Sequence, residues 1–241
     1  AKGETVALVG ESGSGKSVTA LSTVNLLPDS ARVSGSILYG DTEMVGASPR
    51  KLRQVRGNDI SFIFQEPMTS LNPLHTLEKQ LMEGIALHQG LQGAPARARI
   101  IELLNKVGID NPERRLGSYP HQLSGGMKQR AMIAGALACQ PDLLLADEPT
   151  TALDATVQKS VLDLLAQLRR DRNLSMIFVS HDLGAVAQVC DDVLVMRRAK
   201  LMESGSVAQV IRAPRNDYTK KLIASHPDRL QLQEAVQVPD G

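Results

Sequence analysis

Short apolar runs alternate with stretches of helical period over much of this chain. Thr5–Val9 reads as a buried strand, and similar runs stand at 60–64, 143–146, 176–179 and 193–196. A mixed run at 35–39 reads as a further strand. Between these runs, apolar residues recur every three or four positions at 16–26, 126–139, 155–170 and 183–189, which predicts helices. Pro28 closes the first of them. Strand signals vanish between Gln65 and Gln122, where helices are predicted at 77–87 and 94–107, separated by Gly90, Gly93 and Pro95. Two short helical patterns are expected after Pro214, leading into a polar tail.

Strands alternating with helices predict an α/β fold with a mostly parallel sheet covered on both faces. The expected organisation is a core formed by 1–64 and 124–226, an inserted helical subdomain at 65–123, and a loosely ordered tail at 227–241. Residue 1 is not a Met and the chain enters almost at once into a central strand, so residue 1 reads as the boundary of a fragment.

Composition excludes several function classes. Lys+Arg total 27 against 26 for Asp+Glu, a net charge of +1, which lacks the basic excess of a nucleic-acid binder. Hydrophobic residues make up 42%, enough for a sizeable core, so global disorder is excluded. Aromatics are 2% with no Trp, so a platform for stacking bases or sugars is not expected. Cys139 and Cys190 form no CxxC pair and read as small buried hydrophobes in a reducing compartment. No apolar run approaches the ~18 residues that span a bilayer, and no basic-then-apolar signal opens the chain. The expectation is a soluble chain of the cytoplasm that reaches a membrane through a partner.

Gly10-Glu11-Ser12-Gly13-Ser14-Gly15-Lys16-Ser17 fits G-x-x-x-x-G-K-[ST], after a predicted strand and before a predicted helix. The glycines let the backbone curl so that N–H groups converge on phosphate oxygens, and the helix N-terminus adds partial positive charge. Lys16 suits the β- and γ-phosphates, and the Ser17 hydroxyl suits Mg²⁺. Leu143-Leu144-Leu145-Ala146-Asp147-Glu148 is an apolar strand ending in two carboxylates. Asp147 fits a Mg²⁺ partner, and Glu148 fits the residue that polarises an attacking water. Ser124-Gly125-Gly126 opens a further helix, with Ser124 suited to its N-cap.

Leu123-Ser124-Gly125-Gly126, followed by a basic-polar run ahead of the acidic strand, resembles the signature of ATP-binding cassette (ABC) ATPases. Gln65, at the end of the 60–64 strand, resembles that family's Q-loop glutamine. Thr151-Ala152-Leu153-Asp154 resembles its D-loop, and His181 its switch histidine. The match runs from residue 10 to residue 181 in the family's order. It implies a P-loop NTPase fold of the ABC type, with a mostly parallel core sheet, an inserted helical subdomain and N-terminal antiparallel strands partly missing.

The resemblance also implies a head-to-tail dimer with a second ABC ATPase domain, identical, different or fused. ATP is then held by the phosphate loop of one domain and by Ser124, Gly125 and Gly126 of the other. On this reading Gln65 links Mg²⁺ and the lytic water to the helical lobe. His181 contacts the γ-phosphate and positions Glu148, and Asp154 bridges the subunits. Asp182 reads as a helix N-cap or hinge.

The segment from Phe64 to Pro73 and the stretch from Ala213 to Leu222 are similar to ATPases of oligopeptide, dipeptide and nickel importers. That branch includes members with two such domains fused in one chain. The implied function is an ATP-hydrolysing subunit of an importer for peptides or a related small solute, on the cytoplasmic face of the inner membrane. Its partners would be polytopic permease subunits and, indirectly, a periplasmic or extracellular solute-binding protein, with no nucleic acid. Coupling would run through the lobe around 68–77.

Two departures qualify the resemblance. No aromatic residue precedes Gly10 to stack on adenine, which predicts weak ATP binding. No Cys follows Cys190, so the iron–sulfur site of some peptide-importer ATPases is not expected. A soluble accessory ABC ATPase, of the phosphonate-breakdown type, is the alternative. A nucleotide sensor without turnover is disfavoured by the intact Glu148, and a chromosome-maintenance ATPase by the shortness of the insert.

Overall fold

The computed structural model describes residues 2–65, 70–151, 153–226 and 232. Residues 66–69, Ala152 and the tail 227–241 apart from Leu232 lie outside the described residues, so the expectations resting on them find no structural account here. The chain divides into two compact units. The first comprises Ala1–Val45, Leu145–Glu148 and Leu165–Gly241, the second Gly46–Leu144 and Pro149–Leu164.

In chain order the elements are β1 (Thr5–Val9), α1 (Lys16–Thr23), β2 (Leu38–Tyr39), β3 (Thr42–Glu43), α2 (Pro49–Val55), β4 (Ile60–Ile63), α3 (Leu77–Gln89), α4 (Gly93–Lys106), α5 (Pro112–Arg115), a 3-10 turn (Pro120–Gln122), α6 (Gly125–Ala136), β5 (Leu143–Asp147), α7 (Ala155–Arg172), β6 (Ser175–Ser180), α8 (Leu183–Val189), β7 (Asp192–Arg197), β8 (Lys200–Ser206), α9 (Val207–Arg212) and α10 (Asp217–Ala224).

In the first unit the strand order is β5-β6-β1-β7-β8. β1 pairs parallel with both β6 and β7, and β7 pairs antiparallel with β8. A central strand flanked on both sides buries both of its faces, which explains the continuous apolar run Val6–Val9 rather than an alternation. Phe178, Val179, Ala7 and Val9 are fully enclosed and form the heart of this core. β2 and β3 pair antiparallel by themselves.

The second unit is dominated by helices, with β4 as its strand. α3 buries Leu77, Leu81 and Ile85, and α4 buries Ala96, Ile100, Leu103 and Leu104, each at helical spacing. These faces pack on each other and on α6. Thr76 caps α3 by accepting from the Lys79 N–H, and Gly90, left-handed at φ 67°, ends it.

Several sequence expectations are corrected here. α1 stops at Thr23, because Asn25 turns left-handed (φ 52°) and the Leu26 N–H donates back to Leu21 O. The strand expected at 35–39 shrinks to Leu38–Tyr39. Only one described helix, α10, follows Pro214; the other short one, α9, precedes it, capped by Ser206. α2 was not expected, although Ser48 accepting from the Lys51 N–H and Pro49 at its first turn form a legible start signal. β8 was also missed. It is an edge strand with no clean apolar alternation, held by its pairing with β7.

Candidate active site

The first unit gathers the phosphate-loop pattern, the acidic pair and His181 at the ends of β1, β5 and β6, where open α/β sheets bind ligands. The loop 10–15 leaves β1 and enters α1. Gly10 runs so close to β7 that a Cβ would collide with the Met196 carbonyl oxygen, so only glycine fits there. Gly15 caps α1 with φ 97° and supplies no side chain, leaving the first-turn amides of α1 without a side-chain acceptor. Gly13 (φ 74°) faces open space among the described residues. The Ala199 N–H, from the β7–β8 turn, donates to Ser14 O at 2.9 Å and pins the loop.

Lys16 is 5% exposed, and its Nζ donates to Gly10 O (2.9 Å) and Glu11 O (3.0 Å), so the ammonium stands over the loop it belongs to. Burial pulls its pKa down, while the charges of Glu148 and Asp147 oppose that pull. The Ser17 hydroxyl donates to Asp147 Oδ1 at 3.0 Å. Burial raises the Asp147 carboxyl pKa. The Ser17 hydrogen bond lowers it, the Glu148 charge raises it further, and Lys16 opposes. Ser14 Oγ is buried with no hydrogen-bond partner among the described residues, an unusual state for a buried hydroxyl.

Glu148 has φ 46°, a left-handed conformation rarely adopted by a residue with a long side chain and frequent at functional sites. Its N–H donates to Val179 O on β6 (2.9 Å). One carboxylate oxygen lies 3.3 Å from His181 Nδ1. Asp182 is the N-cap of α8 and accepts from the Gly184 (2.8 Å) and Ala185 (3.3 Å) N–H groups.

The remaining predicted site residues belong to the second unit. Gln65 follows β4 and is exposed. Ser124 caps α6 by accepting from the Met127 N–H at 3.3 Å, with Gly125 and Gly126 opening the helix. Asp154 accepts from the Val157 N–H at 2.9 Å, at the start of α7. Gln129 on α6 donates through Nε2 to Pro149 O at 2.5 Å, fastening that helix to the segment after the acidic pair.

Two contacts on the phosphate loop were absent from the sequence reading. One is the Ala199 amide. The other is Tyr218 of α10, whose hydroxyl accepts from the Glu11 N–H at 3.2 Å. The available signal was weak: Tyr218 is one of three Tyr in the chain, set in a short amphipathic helix.

The donors suit a polyphosphate and a divalent cation. A glycine-lined loop, an uncapped helix N-terminus, a buried ammonium and an unpartnered serine hydroxyl favour phosphate oxygens. The paired Ser17 hydroxyl and Asp147 carboxylate are hard oxygen donors of the kind Mg²⁺ takes. Among the described residues no cluster of three or more His, Cys, Asp or Glu is placed to hold a metal ion. No helix of the described residues is long and apolar enough to cross a membrane.

Comparison with known proteins agrees with this chemistry. Residues 1–151 match the family model described as ABC transporter. The chain is 57% identical to the peptidoglycan transport ATP-binding protein YejF of Agrobacterium fabrum, over 93% of this chain but 42% of that protein. It is 49% identical to the dipeptide transport ATP-binding protein DppD of Bacillus subtilis, covering all of this chain and 72% of that one. The chain thus spans less than half of the first relative and about three quarters of the second. The fold superposes on the ATP-binding cassette MJ0796, solved as a dimer in a post-hydrolysis state with ADP and Pi, with a TM-score of 0.75 and 26% identity over 86% of this chain and 87% of that one. The chain therefore belongs to the ABC transporter family.

Proposed function

We propose that this chain is the ATP-hydrolysing subunit of an importer for peptides or a related small solute, working at the cytoplasmic face of the inner membrane. The observation that carries the reading is the convergence of Lys16, Ser17, Asp147, Glu148 and His181 within one unit. The printed names of the relatives supply the transport context.

The loop amides and Lys16 bind the β- and γ-phosphates, and Ser14 Oγ gains the acceptor or donor it lacks among the described residues. Ser17 and Asp147 would hold Mg²⁺, which neutralises phosphate charge when bound. Glu148 accepts the proton of the attacking water, and His181 orients the Glu148 carboxylate from 3.3 Å. Ser124, Gly125 and Gly126 serve the nucleotide of a second ABC domain, with Asp154 between subunits.

Polytopic permease subunits are the proposed partners, and the second unit offers them a surface. A cavity of about 490 Å³ there is lined by Phe64, Leu71, His75, Gln80 and Met132, next in sequence to Gln65. Phe64 is 43% exposed, so apolar surface is presented at this cavity.

The test is a pull-down of the full-length protein from solubilised membranes, paired with an ATPase assay. Recovery of polytopic subunits and Mg²⁺-dependent ATP turnover supports the reading. Recovery of soluble metabolic enzymes alone, with turnover intact, replaces the importer by a soluble accessory ATPase.

A further inference from the structure

We infer that α10 braces the nucleotide site at two places, with Tyr218 positioning the phosphate loop and His226 positioning the segment that carries His181. The inference rests on the nucleotide-site reading above and on contacts inside the first unit.

At its near end α10 is fixed to the sheet. Glu203 on β8 accepts from the Arg215 (2.7 Å) and Asn216 (3.0 Å) N–H groups, and Asn216 Nδ2 donates to Met202 O (3.2 Å). Asn216 then caps the helix by accepting from the Tyr218 N–H (2.9 Å). Tyr218 is 6% exposed, and the Arg197 guanidinium lies 4.8 Å from its ring centroid, which restrains the ring. Its hydroxyl is thereby presented to the Glu11 N–H at 3.2 Å.

The Glu11 residue is held from two sides. Its N–H is bound by Tyr218, and its carbonyl accepts from Lys16 Nζ (3.0 Å) and the Ser14 N–H (3.1 Å). The tyrosine hydroxyl therefore bears on the backbone against which Lys16 and Ser14 rest. It touches no phosphate position itself, so Tyr218 is a positioning residue.

Beyond the far end, His226 Nε2 lies 3.5 Å from Asp182 Oδ1, the atom that caps α8 immediately after His181. Between the two ends, Leu222 and Ile223 face Val9, Leu183, Val186 and Val193. Val9 leads into the phosphate loop, and Leu183 follows the His181 segment. One short helix thus spans the two elements whose spacing the reaction needs.

The experiment compares the full chain with Tyr218→Phe and His226→Ala, with Lys220→Ala as a control on the exposed side of α10. The readouts are backbone hydrogen exchange, melting temperature and ATP kinetics. Y218F keeps the ring and loses one hydrogen bond. It is expected to speed exchange in peptides covering 10–14 and to raise KM for ATP about threefold to tenfold, with kcat held within about twofold. H226A is expected to speed exchange in 181–186 and to lower kcat by a similar factor with KM held. K220A is expected to match the parent.

If both variants shift KM and kcat together with a general loss of protection, α10 is only packing and the brace is wrong. Unchanged exchange and unchanged kinetics also overturn it. If the parent chain turns over no ATP, the proposed function falls, while the two exchange readouts still decide the brace.

Discussion

Glu148, just past β5, and His181, just past β6, are held together at the ends of two neighbouring strands. The Glu148 N–H donates to Val179 O, two residues ahead of His181, and a Glu148 carboxylate oxygen sits 3.3 Å from His181 Nδ1. The left-handed φ of 46° at Glu148 is the backbone cost of that placement. The Glu148 side chain is 14% exposed and that of His181 62%, so the carboxylate is set into the unit while the imidazole stands out from it.

Glu148→Gln keeps the shape of this pair and removes the proposed base. Turnover should fall on the order of 10²- to 10⁴-fold while ATP binding changes little. Steady-state hydrolysis beside equilibrium nucleotide binding checks this. Hydrolysis surviving at the parent rate would move the base elsewhere.

The two glycines of the Ser124 motif make separate demands. A Cβ on Gly126 would stand 2.8 Å from Val157 Cγ1, whereas one on Gly125 would meet no described atom within 4 Å. Gly126→Ala should therefore lower the melting temperature by overpacking, at a cost of about 1–3 kcal/mol. Gly125→Ala should fold like the parent yet lose ATP-dependent dimerisation if, as proposed, its bare backbone serves a second domain. Calorimetry and sedimentation with ATP separate the two effects.

Asp147 carries a raised carboxyl pKa, caused chiefly by burial. The folded chain then holds that proton more tightly than the unfolded chain. Ionising the group as pH rises from the ordinary Asp range through the folded pKa therefore costs stability, and the whole penalty is present above that window. Asp147→Asn removes the penalty. It should melt higher relative to the parent at pH 8 than at pH 4, while losing Mg²⁺-dependent turnover. Melting curves at the two pH values test the sign. A gain confined to low pH would contradict the burial argument.

Cys139 and Cys190 are both buried and free, and burial pushes both thiols up from their ordinary range. Thiolate is the reactive form, so neither should alkylate in the native protein at pH 8 on a timescale of minutes. Both should react in denaturant, with intact mass as the readout.

The loop 10–17 between a strand and a helix, and the pair Asp147-Glu148 at the end of an apolar strand, were legible without coordinates. So were the parallel-sheet core and most of the helices, since a fully apolar run and a helical period are printed within a few residues of each other. Ser124 and Asp182 were readable as caps for the same local reason. The edge strand β8 was not, because an edge strand is defined by what lies beside it and its own residues carry no clean alternation.

Sequence by itself thus determined which residue types stand at the ends of the core strands, because local period, caps and glycine spacing act over one or two turns of chain. Only the tertiary structure decided which of them meet. Ser17 reaches Asp147, Glu148 turns left-handed toward His181, and Tyr218 closes on the Glu11 N–H, each across a long stretch of sequence. Such pairings follow from the order in which β5, β6, β1 and β7 lie side by side, and that order is fixed by packing the whole sheet, with no trace in the spacing of any single segment.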